Sequence, residues 1–240
     1  MAAGHNRARS SGTAPGSAFD RIHPVSLSSL PSVRDEIAAV AARMIAEDGL
    51  DYAGAKRRAA REVLGDAHHA HGDCMPDNAE VEAAVREHQV LFMADTQPAR
   101  LHSLRESARD VMRFLVDAGL GLVPFASGAI VNGTAGAHSD IHLQVFDDNA
   151  KDLEIFLLNA GVDFEVSEGN GSRAGGGETL SFLWPQARRF PPSRIPAGQE
   201  AVHLTILDPR DQRASHGFGR ADLQALEALI AASSRPDRDP

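Results

Sequence analysis

From Ser32 to about residue 118, apolar residues recur at three- and four-residue spacing, the period of helices that bury one face. Ser32 stands at an N-cap position with Asp35 and Glu36 in the first turn, where carboxylates oppose the helix dipole. Ile37, Val40, Met44 and Ile45 follow at helical spacing, and Gly49 closes the element. Asp51 opens a second helix with Ala55, Ala59, Val63 and Leu64 on one face, ending at Gly65. A third begins after Pro76 and Asp77 and carries Val81, Val85, His88 and Phe92. A fourth opens at Pro98, a favoured first-turn residue, and carries Leu101, Leu104, Ala108, Val111, Met112 and Leu115 until Gly119.

The period then shortens. Leu122–Val131 is apolar and suited to a strand, and Ile141–Phe146 alternates. Lys151–Asn159 predicts a short helix stopped by Gly161, Val162–Val166 a strand, and Gly169–Gly177 a glycine-rich loop. Thr179–Trp184 and Val202–Leu207 predict two more strands across a proline-rich link, and Ala221–Ala232 a last helix with Leu223, Leu226, Leu229 and Ile230. The order β-β-α-β-β-β with flanking helices predicts an α+β fold: a mixed β-sheet domain preceded by an all-helical N-terminal segment. The expected divisions are a disordered tail over 1–31, the helical segment over 32–118, the α+β domain over 119–210, and a C-terminal helix and tail over 211–240. The tail is expected because residues 1–30 are small, polar and interrupted by Pro15 and Pro24, with too little apolar area to offset ordering entropy.

Composition narrows the partners. The 240 residues are 42% apolar, within the range of a globular protein, and rule out collagen-like or wholly disordered chains. With 24 basic and 33 acidic residues the formal charge is −9, against a broad nucleic-acid surface, though a local pocket for one nucleotide remains open. Cys74 is the only cysteine, so no intrachain disulfide forms. No apolar run approaches the roughly 20 residues that span a bilayer, and Arg7 and Arg9 are followed by no apolar stretch of a secretory signal. A cytoplasmic protein without a membrane partner is the expectation.

The chemistry concentrates in Gly128–Phe146. A turn with Gly133, Thr134 and Gly136 precedes Ser139-Asp140 at the mouth of a strand, which places a carboxylate and backbone N–H groups at one sheet edge, as a joint metal and phosphate site requires. This stretch resembles the DNA-polymerase-β-like nucleotidyltransferase superfamily, whose pattern is a Gly-Ser turn, a spacer often containing Gly-Thr-Ala, and Ser-Asp-hydrophobic-Asp-hydrophobic. Gly133-Thr134-Ala135 and Ser139-Asp140-Ile141 fall in register with it, and Gly128 falls on the turn glycine. The helix after it and Gly161-Val162-Asp163-Phe164 are similar as well, so the resemblance covers about 110–207.

The resemblance implies transfer of a nucleotidyl group from an NTP to a hydroxyl, with Mg²⁺ held at Asp140 and nucleotide contacts at Gly128, Gly133, Thr134 and Ser139. It also implies that His142 replaces one ligand or orients a nucleophile. The pattern is broken at Ala129, where the turn serine belongs, and at His142, where the second Asp belongs. No strand offers an evident third carboxylate; Val202–Leu207 offers His203 and Thr205. Two functions of different class follow. One is a divergent nucleotidyltransferase with Asp140 and His142 in the catalytic site. The other is a catalytically inactive protein of that fold, binding a ligand in its cleft or a protein partner through its helical segment.

At closer range the chain resembles an uncharacterised bacterial family sharing Gly-Thr-Ala, Ser-Asp, Leu-Gln-hydrophobic-Phe and a Lys-x-x-Glu-Ile helix, here Lys151–Ile155. Some of its members carry the name UDP-N-acetylmuramate–alanine ligase. An ATP-dependent ligase calls for a glycine-rich loop ending in Gly-Lys-Ser/Thr, but the lysines here are Lys56 and Lys151, so the residues give that name no support. His68, His69, His71, Asp73 and Cys74 crowd into one loop and are expected to be a connection rather than a zinc site. Arg188, Arg189 and Arg194 in the proline-rich link are expected to be a solvated loop rather than a phosphate clamp.

Overall fold

A computed structural model of the chain describes residues 31–65, 74–168, 177–185, 198–214 and 219–233. The expected tail over 1–30, the histidines of the 68–71 loop with Asp73, most of the glycine-rich loop, and Arg188, Arg189 and Arg194 lie outside the described residues. The first helix, α1, is Val33–Asp48, opened by Ser32 in a capping box: the Asp35 N–H donates to Ser32 Oγ and the Ser32 N–H to Asp35 Oδ2. These bonds hold the Asp35 carboxyl below its usual range. The same device with Asp77 and Glu80 opens α3, Asn78–Phe92, and Asp51 caps α2, Tyr52–Leu64. Ile37, Ala41 and Met44 of α1 meet Ala55 and Ala59 of α2 and Val81 and Val85 of α3 in a small core of their own.

The fourth helix, α4 (Gln97–Asp117), belongs to a different core. Its Leu104, Val111, Met112 and Leu115 pack with the sheet rather than with α1–α3, so the packing boundary falls before α4. Phe92 is exposed, and Gln89 takes the buried position one turn after Val85.

Beyond α4 the elements are β1 (Phe125–Ser127), α5 (Ala129–Asn132), β2 (Ile141–Phe146), α6 (Ala150–Asn159), β3 (Phe164–Glu168), β4 (Glu178–Pro185), β5 (Gln199–Leu207), α7 (Asp211–Ala214), β6 (Arg220–Ala221) and α8 (Leu223–Ser233). The strand expected over Leu122–Val131 is thus three residues and a helical turn. Gly128, at φ 70°, ends it, and its carbonyl accepts from the N–H groups of Val131 and Asn132. The six strands form one mixed sheet in the order β3-β4-β5-β2-β1-β6, with β2 and β5 parallel and the other pairs antiparallel. The α+β class is therefore as the sequence pattern implies. Residues from α4, α6 and α8 fill one face of this sheet around Ile141, Leu143, Leu204 and Leu180. No helix among the described residues is long and apolar enough to cross a membrane.

The helical segment braces the chain that leads to β2. Gly49, closing α1 at φ 72°, lies so near His138 that a Cβ built on it would stand 2.6 Å from the His138 Cβ. Gly49→Ala is therefore expected to cost about 1–2 kcal/mol for the left-handed backbone alone. A steric part should add to that, and adding His138→Gly should recover only the steric part. Urea unfolding of the three proteins measures both; a single variant as stable as wild type refutes the contact.

Candidate functional site

Ser127 of β1, His142 of β2, Ser181 of β4 and His203 of β5 stand side by side on the sheet face opposite α4, α6 and α8. The pairing is continuous: Glu165 opposes Ser181, Ser181 opposes His203, His203 opposes His142, His142 opposes Ser127, and Ser127 opposes Arg220. One polar row thus crosses every strand, because residues in register on paired strands share a face. Ile141 and Leu143, on either side of His142, point into the core and are fully buried.

Asp140 sits immediately before β2, with its side chain about half exposed. His142 lies on the same face two residues on, as strand geometry requires. The nearest partner of the Asp140 carboxylate is His203, whose Nε2 lies 3.3 Å from Oδ2. His203 Nδ1 in turn lies 2.9 Å from Ser181 Oγ. The rings of His203 and His142 stack with centroids 5.0 Å apart and planes 22° apart. His142 is exposed by area, yet the protein packed around its ring disfavours the imidazolium and pushes it below the ordinary histidine value. A positive charge on adjacent His203 acts the same way, and Asp140 opposes both. At neutral pH the His142 ring is an uncharged donor and acceptor.

The glycine turn expected to meet a nucleotide is occupied with its own bonds. The N–H groups of Gly133 and Ala135 both donate to the Ala129 carbonyl, that of Thr134 to Asn132 Oδ1, and that of Gly136 to Ser139 Oγ. Thr134 itself is buried, and its hydroxyl donates to Asn132 Oδ1 at 2.7 Å. The carbonyls are held from the helices. Gln89 Nε2 donates to Thr134 O at 2.7 Å, Gln97 Nε2 to both Gly133 O and Ala135 O at 3.0 Å, and Arg105 Nε to Ile130 O at 2.8 Å. Burial pulls the Arg105 guanidinium below its ordinary value, and burial pushes the Tyr52 phenol up beside Thr134. Gly133, Thr134 and Ser139 therefore shape the path to Asp140, and a phosphate there would have to displace bonds inside the turn. A Cβ on Gly128 or on Gly133 would meet nothing, so both glycines answer to φ and not to a close neighbour.

Mg²⁺ asks for near-octahedral oxygen ligands, and imidazole suits softer ions. The donors beside Asp140 are two imidazoles, and no group of three or more His, Cys, Asp or Glu side chains that could hold a metal occurs among the described residues. This donor set does not fit Mg²⁺. Ser181 is a neighbour in this row that the sequence left unnamed. Its signal was the alternation in Thr179–Trp184, which turns Ser181 away from buried Leu180 and Phe182, but its place beside His203 depends on strand pairing. Compared with known proteins, the chain matches no protein-family model and no curated protein.

Proposed function

We propose that the protein is nucleotidyltransferase-like in its sheet and strand-mouth aspartate, and that its open sheet face binds a nucleotide-sized ligand without metal-dependent nucleotidyl transfer. The observation that carries this reading is the stacked His142–His203 pair beside Asp140, where two-metal chemistry would call for further carboxylates. An imidazole offers hydrogen bonds and a flat face to a ligand, not a hard-cation site. The active-transferase reading draws on a separate feature, the exposed position of Asp140 at the start of β2, which leaves one carboxylate open to a metal-bound triphosphate.

Calorimetric titration of NTPs with and without Mg²⁺ or Mn²⁺, on wild type and Asp140→Asn, separates the readings. Binding that ignores both metal and mutation is the expected result. Metal-dependent binding lost in Asp140→Asn, together with pyrophosphate release, would establish the transferase instead. No nucleotide binding under any condition would remove both and leave an interaction module. The exposed Val90, Leu91 and Phe92 at the end of α3 would then be the surface to probe for a protein partner.

A further inference from the structure

The bond chain Ser181–His203–Asp140 crosses three adjacent strands and has a chemical polarity that nucleotide binding does not need. Asp140 can only accept when ionised, so the proton of a neutral His203 belongs on Nε2, facing Oδ2 at 3.3 Å. That leaves the Nδ1 lone pair for the Ser181 hydroxyl at 2.9 Å. A hydroxyl bonded to an imidazole that is oriented by a carboxylate is the arrangement that activates a serine nucleophile, whatever fold carries it. His142, stacked on the far side of His203, restricts the ring to this orientation. Ser181 and His203 stand on the open face of the sheet, beside Glu165 and the exposed Leu183.

We propose that Ser181 is a nucleophile, with His203 as its general base and Asp140 orienting the base, and that the site reacts with activated acyl or phosphonyl electrophiles. In the acyl case the Ser181 Oγ–H proton passes to His203 Nδ1 as Oγ bonds the carbonyl carbon. The bond to the leaving alkoxide breaks, and the imidazolium returns the proton to that alkoxide. Water, deprotonated by His203, then cleaves the acyl-serine to carboxylate and free Ser181. β4 is paired on both sides of Ser181, with Glu165 and His203, so the Ser181 N–H is committed to the ladder and supplies no oxyanion donor. Strongly activated electrophiles, not ordinary esters, are therefore the substrate class.

The test is covalent labelling of the full chain with an alkyl fluorophosphonate, read by peptide mass spectrometry. Oγ–P forms, P–F breaks, fluoride leaves and the hydroxyl proton goes to His203. One adduct per chain at Ser181 is expected, absent in Ser181→Ala, and formed roughly a hundredfold more slowly in His203→Gln. Asp140→Asn, whose side chain is half exposed and leaves no cavity, should also be slower and repeats the comparison if His203→Gln fails to fold. No adduct at Ser181, or a rate indifferent to both His203→Gln and Asp140→Asn, would overturn the proposal and make the trio an ordinary cross-strand contact. The inference does not rest on nucleotide binding: a protein that labels at Ser181 but binds no NTP keeps it and loses the reading above.

Discussion

Leu143→Ala is expected to lower the stability of the protein by about 2–5 kcal/mol, with a matching fall in the urea midpoint. Leu143 is fully buried in β2, the strand paired with β1 on one side and β5 on the other, and its register partners are Ala126 and Leu204. All three point into the core that α4, α6 and α8 cover, so the deleted methyl groups leave a void that strands fixed on both sides cannot close. Asp140→Asn, three residues earlier, should stay within about 0.5 kcal/mol of wild type, as surface changes do. The contrast matters for the site, because it allows ligand and labelling measurements on Asp140→Asn to be read as chemistry. A loss below about 1 kcal/mol for Leu143→Ala would mean that β2 is not central to the core.

Arg100→Met is expected to cost about 3–5 kcal/mol, because it deprives a buried carboxylate of its guanidinium. Arg100 on α4 grips Glu200 at the start of β5 with both Nη atoms, at 2.5 and 2.8 Å, and Glu200 is only 5% exposed. A desolvated charge whose partner is removed costs more than the intact pair contributes. Adding Glu200→Gln, which keeps the side chain's shape and hydrogen bonding but removes its charge, should therefore recover much of the loss. Urea unfolding of wild type, both single variants and the double closes a double-mutant cycle. Additive losses would show that the two side chains act independently. The pair joins residues 100 apart in sequence, and it anchors α4 to the strand that carries His203.

The helical periods were legible because amphipathic spacing and capping are local. Ser32, Asp51 and Asp77 cap where their chemistry places them, and Gly49 ends α1 in the left-handed conformation. Pattern alone misjudged places where a distant partner decides. His88 and Phe92 look like the continuation of an apolar face, yet Gln89 is buried because its amide meets the Thr134 carbonyl, 45 residues away. The stretch after Leu122 looks like one long strand, and a single glycine at positive φ converts half of it into a turn. β6 is two residues long and exists by pairing with β1, so no local signal marks it.

The candidate site divides in the same way. Asp140 at a strand mouth and His142 on the same face follow from the motif and from the two-residue period of a strand, and both are where that geometry puts them. By itself the sequence determined the periods of the first four helices, the α+β class, the strand-mouth carboxylate and the absence of a carboxylate from the Val202–Leu207 strand. Each of these depends on neighbours a few residues apart. Only the tertiary structure decided that β5 lies parallel beside β2, that β4 lies beyond it, and that Ser181, His203 and Asp140 meet. It also decided that the glycine turn spends its N–H groups on itself and its carbonyls on α3 and α4. Strand order and the partners of polar groups are settled by which hydrophobic faces bury together, a choice made over the whole chain and written in no single segment of it.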